Sequence, residues 1–270
     1  MDYVKKLRQK YRYAVILLKQ LVKTDFKLRY QNSFLGYLWS LLKPLFLFVI
    51  MYTVFVKVIG VDYGVPHSGV YLLLGLVLWS YFAEVTGGGV GSIVGKGDLM
   101  RKLNFPRYVI VLSNSFSALI NLILNMVVVA IFMLISGADV SMKSFLVVLL
   151  FIELGIFGLA ISFILATSYV RLRDIGYIWD IIMQALFYAT PIFFPLTLAP
   201  IWAQKIIMLS PLSQTIQDIR YLMVSEKTVT IGSIYNNEWM RAIPVVLSVV
   251  LLLASLQYFK RMSKYFAEEI

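Results

Sequence analysis

The chain has 270 residues, of which 60% are hydrophobic and only 14% are charged. Soluble domains average about 45–50% apolar and about 25% charged residues. A chain of this size cannot hide such an excess in one core, because much of its surface stays exposed after folding. We therefore expect lipid to cover the surface of this protein.

The residue types exclude several kinds of site. Cysteine is absent and His67 is the single histidine, which excludes a disulfide framework, thiolate metal sites, a cysteine nucleophile and histidine-based catalytic triads. The formal net charge is +11, from 25 Lys and Arg against 14 Asp and Glu. In a soluble protein this excess would suggest a nucleic-acid partner, but beside membrane spans it first concerns topology. We expect no nucleic-acid partner.

Six stretches are long and apolar enough to cross a membrane, which takes about 20 residues in a helix. They are predicted at about 34–59, 70–94, 108–135, 145–170, 175–194 and 242–259. Strands of a membrane barrel would alternate apolar and polar residues, and no segment of the sequence does so. The predicted fold class is therefore all-α, with a single domain of six transmembrane helices over residues 34–270.

The basic residues fall mainly on one side of this topology. Of the 25 Lys and Arg residues, 19 lie within residues 1–43, follow the sixth span, or lie between spans two and three or four and five. The positive-inside rule then places these segments and both termini in the cytoplasm. No cleavable signal peptide is expected, because the first apolar run, residues 13–18, is short and Lys19 follows it.

Residues 1–33 are predicted to be an interface element rather than a span. Apolar residues recur at helical spacing between residues 3 and 26, and Lys and Arg occupy much of the rest. This pattern indicates a basic amphipathic helix that lies at the cytoplasmic face of the membrane.

Residues 96–107 form a short cytoplasmic segment after the second span, too polar to enter lipid. Leu99, Met100, Leu103 and Phe105 stand among its charged residues. A surface that mixes apolar and basic residues suggests a docking element for another protein, and an ordinary basic loop is the alternative.

The glycine-rich stretch just before this segment does not fit a phosphate-binding loop. Residues 91–96 have three residues between the glycines where that loop needs four, and Gly97 rather than Ser or Thr follows the lysine. The chain thus shows no nucleotide site of its own, and its glycines are better explained by close helix approach or a bend.

Residues 195–240 are predicted to lie outside the cell between spans five and six. They contain two half-apolar pieces, residues 199–209 and 212–224, which are too short to cross a membrane. Re-entrant or interfacial helices that start near prolines fit them better.

Three carboxylates fall within the predicted spans: Glu84, Glu153 and Asp180. Such residues are costly in hydrocarbon, so they usually face a bundle interior or a water-filled path. A functional role and a structural hydrogen-bonding role both remain open, and their spacing does not form an acid–base pair.

Aromatic residues make up 15% of the chain, and many lie near span ends, where an interfacial belt explains them. A second group lies within spans one and five: Tyr52, Phe55, Phe187, Tyr188, Phe193 and Phe194. Flat rings can stack on sugar faces, so this group could line a path for a glycan. Core packing is the alternative.

Three segments resemble polysaccharide-export ABC transporter permeases, the type-2 exporters of O-antigen, teichoic acid and capsule. Residues 25–45 (DFKLRYQNSFLGYLWSLLKPL) resemble the approach to their first span, and residues 102–107 (KLNFPR) resemble their coupling segment. Arg173-Asp174, followed later by residues 187–195 (FYATPIFFP), resembles the region before their outer gate. The segments stand in the right order between the right spans, and the resemblance covers nearly the whole chain.

The resemblance implies half of a transporter in the inner membrane of a bacterium. Two copies of this chain would assemble with two copies of a separate ATPase, which would hold ATP and Mg, and this chain would have no cofactor or catalytic residue. The substrate would be a lipid-linked glycan, and membrane lipids would surround the complex. Residues 1–33 and 96–107 would contact the ATPase, and residues 195–240 would form an outer gate.

The resemblance also implies roles for single residues. Spans one and five, with the six aromatic residues named above, would line the dimer interface and the translocation path. The residues expected to couple to the ATPase are Leu99, Arg101, Lys102, Leu103, Asn104, Phe105 and Pro106. Polar residues with a place on the path or a structural role are Glu84, Glu153, Asp180, Arg173 and Asp174.

Other functions stay open from the sequence. An ABC permease for another lipid or a drug would share these features. An ion-coupled secondary transporter could use Asp180 or Glu153, although the repeated halves typical of such folds are not visible. A membrane acyl- or glycosyltransferase would need a clustered catalytic set, which one histidine and scattered carboxylates do not supply.

Overall fold

The structure is a computed structural model that describes residues 2–30, 36, 38–102, 105–137 and 145–269. All regular secondary structure in these ranges is helical, which confirms the all-α prediction. The helices are α1 (Asp2–Tyr30), α2 (Leu38–Met51), α3 (Ser68–Val90), α4 (Gly97–Lys102), α5 (Tyr108–Ser136), α6 (Val147–Arg171), α7 (Ile175–Ala189), α8 (Ile201–Met208), α9 (Pro211–Met223), α10 (Ile231–Tyr235), α11 (Ala242–Met262) and α12 (Phe266–Glu269).

Five stretches of helix within the described residues are long and apolar enough to span a membrane. They are Leu38–Val58, Ser68–Val90, Tyr108–Ser136, Val147–Arg171 and Glu238–Met262. The sixth predicted span, at 175–194, contains the shorter α7 of 15 residues, so helix length alone does not confirm the count of six. The helix ends early because Pro191 and Pro195 have no backbone N–H to donate, and the chain continues in a non-helical tail.

Helix α7 nevertheless runs antiparallel to α3 along most of its length. At one end, a Cβ placed on Gly176 would lie 3.8 Å from a methyl group of Val90. Further along, the rings of Phe187 and Trp79 are 5.4 Å apart. The tail after α7 reaches the level of the first turn of α3. The side chain of Arg220 donates hydrogen bonds both to the carbonyl of Tyr71 in that turn and to the carbonyl of Ile192 in the tail. Helix α7 and its tail together therefore cover the same length of the bundle as α3.

Helix α3 forms the centre of the bundle. In an apolar stretch of 18 residues of α3, 78% of the residues are buried inside the protein, against 11% in the first span and 22% in the last. It packs against α2, α5, α6, α7 and α9. Close packing with α6 depends on Gly89, where a Cβ would collide with Ser162. The outer helices therefore present their apolar faces to the membrane around one buried helix.

The first span changes its helical form partway. Pro44 lies inside α2, and the helix continues beyond Met51 as a π-helix over Tyr52–Val58. Its last bonds include the N–H of Ile59 donating to the carbonyl of Val54, at 2.9 Å. Short π-helical turns often occur at functional sites.

One end of the bundle, the basic end, gathers α1, residues 91–102 and 105–107, the turn between α6 and α7, and residues 260–269. Ala14 and Leu21 of α1 pack in one apolar cluster with Phe105, Phe259 and Phe266. Helix α12 packs against α4 and α6, where the Nε atom of Arg171 lies 2.7 Å from a carboxylate oxygen of Glu269. The segments that carry most of the basic residues therefore meet at this end.

The opposite end carries α8, α9 and α10, at the place where the sequence predicts short helices. Helix α9 starts with Pro211, a position that favours proline because the first N–H of a helix has no partner. Ten consecutive residues, Pro211–Arg220, are buried, and α9 packs against α3, α6 and α11. Helix α9 is thus enclosed by the protein, whereas half of the residues of α8 are exposed at the surface.

Candidate functional site

Five of the six aromatic residues predicted to line a path form one cluster at the end of α7. The ring of Phe193 lies at its centre, 5.0 Å from Phe55, 5.5 Å from Phe187 and from Phe194, and 5.9 Å from Tyr188. These distances are typical of favourable ring pairs. Tyr188 is 68% exposed, and the other four rings are half-buried. The cluster joins the π-helical part of the first span to α7 and its tail.

Tyr52 belongs to a different group of rings. Its ring lies 5.6 Å from Phe48, which in turn lies 5.5 Å from Phe132 of α5, and Lys57 is 5.9 Å above the Tyr52 ring. The structure thus does not bring Tyr52 together with the other five, and its place on a path stays a prediction.

The exposed face of α7 carries a stripe of polar and aromatic side chains, which we call the α7 stripe. Tyr177, Asp180, Gln184 and Tyr188 recur at i, i+3, i+7 and i+11, a spacing that puts them on one side of a helix. All four are exposed. A carboxylate at the centre of a membrane helix costs about 2.5–3.5 kcal/mol on insertion scales. The stripe, unlike the exposed Ile178, Ile181 and Ile182 of the same helix, therefore suits a water-containing path or a polar neighbour better than lipid.

Only Asp180 and Tyr188 of this stripe are among the residues predicted from the sequence. Tyr177 and Gln184 were missed, although their spacing within an otherwise apolar helix is a signal that could have identified them.

The non-helical tail of α7 is held by Arg220, whose side chain is fully buried in α9. Its Nη1 atom donates to the carbonyl of Pro191 at 2.5 Å, and its Nη2 atom donates to that of Ile192 at 2.6 Å. Its Nε atom donates to the carbonyl of Tyr71, in the first turn of α3, at 3.0 Å. Burial lowers the pKa of this guanidinium, but arginine stays protonated in proteins. One side chain therefore joins α9, α3 and the tail.

Tyr63, in the loop before α3, holds the same tail. Its hydroxyl donates to the carbonyl of Phe193 at 2.6 Å, and its ring lies 5.3 Å from that of Tyr71. Burial raises the pKa of Tyr63 to about 12, so the hydroxyl keeps the proton that it donates. Gly75 makes room for Arg220, because a Cβ there would collide with the guanidinium.

Sequence reasoning missed these supports and counted Arg220 only as an outer basic residue. Tyr63 and Phe193 are 130 residues apart in the chain, and Arg220 and Tyr71 are 149 residues apart, so no local sequence pattern indicates these hydrogen bonds.

Glu84 lines a cleft of about 610 Å³ between α2, α3 and α5. Its carboxylate accepts a hydrogen bond of 2.7 Å from the Nδ2 atom of Asn121. Asn125, one turn further along α5, donates to the carbonyl of Ser40 at 3.3 Å. Lys43 also lines this cleft. Glu84 therefore faces a mainly apolar cleft in which Asn121 is its hydrogen-bond partner.

Glu153 is an interior residue of α6, only 6% exposed, and one of its carboxylate oxygens has no hydrogen-bond partner among the described residues. The predicted carboxylates thus lie in three different surroundings: a cleft, the interior and an exposed stripe. No group of three or more His, Asp or Glu in the described ranges could hold a metal ion.

Arg173 and Asp174 lie at the start of α7, at the basic end, and both are exposed. The guanidinium of Arg173 lies 5.2 Å from the ring centre of Tyr169. The carbonyl of Asp174 accepts the N–H of Ile178 at 3.0 Å, so Asp174 is the N-cap residue of α7. A carboxylate there interacts favourably with the helix dipole, which gives Asp174 a structural reason for its position.

The residues predicted to couple to an ATPase fall into two groups. Arg101 and Lys102 are exposed at the end of α4, whereas Phe105 is only 8% exposed and packs in the same cluster as Leu21 and Phe259. Leu99 and Pro106 are half-buried. Leu103 and Asn104 lie outside the described residues. Phe105 therefore anchors the segment within the chain, and among its described members Arg101 and Lys102 are the exposed ones.

A hydrogen-bonded ion pair ties this segment to α1. The Nζ atom of Lys96 donates to Asp25 at 2.8 Å and to the hydroxyl of Ser113 in α5 at 3.3 Å. The two charged side chains are 22% and 25% exposed. The pair therefore connects three elements of the basic end.

Comparison with known proteins relates the chain to membrane transport. Residues 16–224 match the family described as ABC-2 type transporter. An O-antigen export system permease protein RfbA of Myxococcus xanthus is 29% identical over 275 residues, 99% of this chain and 100% of the relative. Two proteins of the same name from Klebsiella pneumoniae are 29% identical over 264 and 266 residues, 97% of this chain and 98% of each relative.

Permease subunits of ABC transporters are transport components, and the ATPase with which they work is a separate protein. The family match covers most of the chain, and the described helices have the length and composition of membrane spans. The chain therefore belongs to the ABC-2 type transporter family and is a multi-pass membrane protein.

Proposed function

We propose that the chain is the transmembrane half of an ATP-driven exporter that moves a lipid-linked polysaccharide of the O-antigen type across the cytoplasmic membrane. The names of its relatives support this substrate class. Capsule polysaccharides and teichoic-acid polymers, which also present hydroxyl groups, are alternative substrates within this proposal.

The α7 stripe is the observation that carries the proposal. Its carboxylate, amide and phenol groups can hydrogen-bond to sugar hydroxyls, and its two exposed tyrosines offer flat apolar faces for sugar rings. The stripe ends at Tyr188, which is also part of the aromatic cluster. A polymer that moves along α7 would therefore meet polar groups and then a group of rings.

We further propose that a second copy of the chain covers this surface and completes the path. In the single chain, few residues of the first span are buried, and most side chains of α7 are exposed. A bare carboxylate in lipid is unfavourable, and a facing copy would enclose Asp180 in a shared, water-containing space. The six aromatic residues predicted for the path would then lie at or near the interface between the copies.

The basic end is proposed to face the cytoplasm, with both termini on that side, in agreement with the positive-inside rule. Two copies of an ATPase, which hold ATP and Mg, would dock there on α1 and on the exposed Arg101 and Lys102. The helices α8 to α10 at the other end, residues 195–240, would form the outer gate.

Deletion of the gene in its host tests the transport assignment. We expect surface polysaccharide to be lost and lipid-linked polymer to accumulate inside the cell, and the unaltered gene to restore export. A variant with Tyr177→Ala and Tyr188→Ala should restore it severalfold less well at equal amounts in the membrane. A control with Ile123→Ala and Ile131→Ala, two exposed residues of α5, should restore it fully. Normal surface polysaccharide in the deletion strain would contradict the proposal.

An ion-coupled transporter remains the second candidate, because Asp180 is exposed on a membrane helix. The two candidates differ in their energy source. Export into vesicles should require ATP and the partner ATPase, and should survive collapse of the proton gradient. Ion coupling would instead be supported by transport that needs no ATP, stops when the proton gradient collapses, and is abolished by Asp180→Asn.

A further inference from the structure

A groove of about 720 Å³ lies between α1 and α5 at the basic end. Its apolar residues come from both helices: Val15, Leu18 and Val22 from α1, and Phe116 and Ile120 from α5. Its remaining lining residues are three lysines, Lys19, Lys23 and Lys27. None of the functions discussed above makes use of this groove.

The groove exists because α1 uses only one face to pack against the bundle. Ala14 and Leu21 are buried in the cluster at the basic end, and Asp25 is paired with Lys96. Val15 and Leu18, on the neighbouring side of α1, remain exposed or half-buried. They face Phe116, which lies about 12 Å along α5 from its first residue at a rise of 1.5 Å per residue. An apolar surface is thus left open beside a membrane span.

The charge of the groove favours an anionic occupant. Lys19, Lys23 and Lys27 follow one another at intervals of four residues, so they lie on one side of α1. All three are exposed, and none of the described residues that line the groove is acidic. Asp25, the acidic residue within this stretch of α1, already accepts a hydrogen bond from Lys96. Long lysine side chains can rest on apolar surface and hold their ammonium groups at the level of phospholipid phosphates.

We propose that this groove binds an anionic phospholipid of the surrounding bilayer, such as phosphatidylglycerol. An acyl chain lies on the apolar residues of α1 and α5, and the phosphate interacts with the three lysines. The lipid fills the space between the two helices and holds α1 against α5. This inference requires only that the chain is in a membrane, so it stands or falls separately from the polysaccharide proposal.

The test is the amount of phospholipid that stays bound to the purified full-length chain. The protein is equilibrated in detergent with equal amounts of phosphatidylglycerol and phosphatidylcholine, and the bound lipid is counted by native mass spectrometry. We expect phosphatidylglycerol to be retained preferentially. A variant with Lys19→Gln, Lys23→Gln and Lys27→Gln should retain about fivefold less of it, because each basic residue near an anionic lipid contributes favourably. Glutamine keeps the helix propensity of α1.

Two further variants separate a specific groove from general surface charge. A control with Lys260→Gln, Arg261→Gln and Lys264→Gln removes the same charge elsewhere at the basic end and should retain phosphatidylglycerol as the unaltered chain does. Ile120→Trp fills the groove, leaves all three lysines in place, and should also lose the bound lipid.

Three results would overturn the proposal. They are equal retention of the two phospholipids by the unaltered chain, equal losses in the two charge variants, and full retention in Ile120→Trp. Displacement of the phospholipid by an equimolar polyprenyl diphosphate would also contradict it, since the occupant would then be a carrier lipid.

Discussion

The guanidinium of Arg220 stacks on the ring of Tyr71, with 3.7 Å between the Cζ atom and the ring centre. The same guanidinium donates to the backbone carbonyl of Tyr71. A cation–π contact gains strength when both groups are desolvated, and this arginine is fully buried. The contact fixes the position of α9 on α3, and through the hydrogen bonds to Pro191 and Ile192 it also fixes the tail of α7.

Replacement of Arg220 should therefore destabilise the protein strongly. Arg220→Ala leaves three buried carbonyl groups without this donor, each at a cost of about 1–3 kcal/mol. We expect a clear fall in Tm in detergent, and only partial recovery with Arg220→Lys, which lacks the planar fork. The exposed Arg173→Ala is the matched control and should leave Tm nearly unchanged. A stable Arg220→Ala protein would show that these bonds are dispensable.

Two glycines of α3 should respond in opposite ways to alanine. A Cβ on Gly75 collides with Arg220, whereas one on Gly87 meets nothing within 4 Å. We expect Gly75→Ala to cost about 1–3 kcal/mol through overpacking, and Gly87→Ala to be neutral or to stabilise by up to about 1 kcal/mol through helix propensity. Thermal unfolding of the two variants in the same detergent provides the comparison, and equal effects would contradict the packing described for Arg220.

Substitutions in residues 96–107 should separate folding from docking. Phe105→Ala removes a buried ring and should destabilise the chain by about 3–5 kcal/mol. Arg101→Glu with Lys102→Glu changes exposed residues and should alter stability by only about 0.5 kcal/mol. If the ATPase docks on this surface, the charge reversal should nevertheless reduce the amount of ATPase that co-purifies with the permease. Unchanged co-purification would remove these two residues from the docking surface.

Asp25 and Lys96 should show measurable coupling in a double-mutant cycle. The pair is hydrogen-bonded and about three-quarters buried, so we expect an interaction of about 1 kcal/mol, at the upper end for partly exposed ion pairs. The cycle uses Asp25→Asn, Lys96→Met and the double variant, compared by Tm. Additive effects of the two substitutions would mean that the pair does not stabilise the basic end.

The contribution of Tyr63 should disappear at high pH. In the unfolded chain its hydroxyl ionises near the usual pKa of 10.0, whereas in the fold the pKa is raised to about 12. The stabilisation is therefore complete below pH 10 and is lost as the pH rises towards 12. The Tm difference between the unaltered protein and Tyr63→Phe should be constant from pH 8 to pH 9.5 and should shrink above pH 10. A difference that stays constant to pH 11 would contradict the raised pKa.

Local patterns predicted most of the helices. Three apolar runs agree closely with α5, α6 and α11, because length and hydropathy alone specify a lipid-covered helix. The early end of α7 could have been predicted too, since Pro191 and Pro195 mark it in the sequence. The role of Arg220 could not, because its partners lie on segments that only the folded chain brings together.

The candidate site, too, could be predicted from the sequence only in part. The rings of spans one and five were identified by type, and five of them do meet. Their meeting depends on the tail of α7 folding back towards the first span, which no spacing rule predicts. The burial of Phe105 likewise depends on where α1 packs, so composition alone suggested an exposed residue.

The hydrogen bonds of Arg220 also set a mechanical condition on any movement of the chain. Pro191 and Ile192 are tethered to α9 rather than only to the helix that precedes them. If the end of α7 near Tyr188 swings aside to let a polymer pass, either the bonds to Pro191 and Ile192 break, or α9 moves with the tail and the contacts of Arg220 with Tyr71 break instead. In the second case the pivot lies where α9 packs against α6 and α11, rather than in the tail itself.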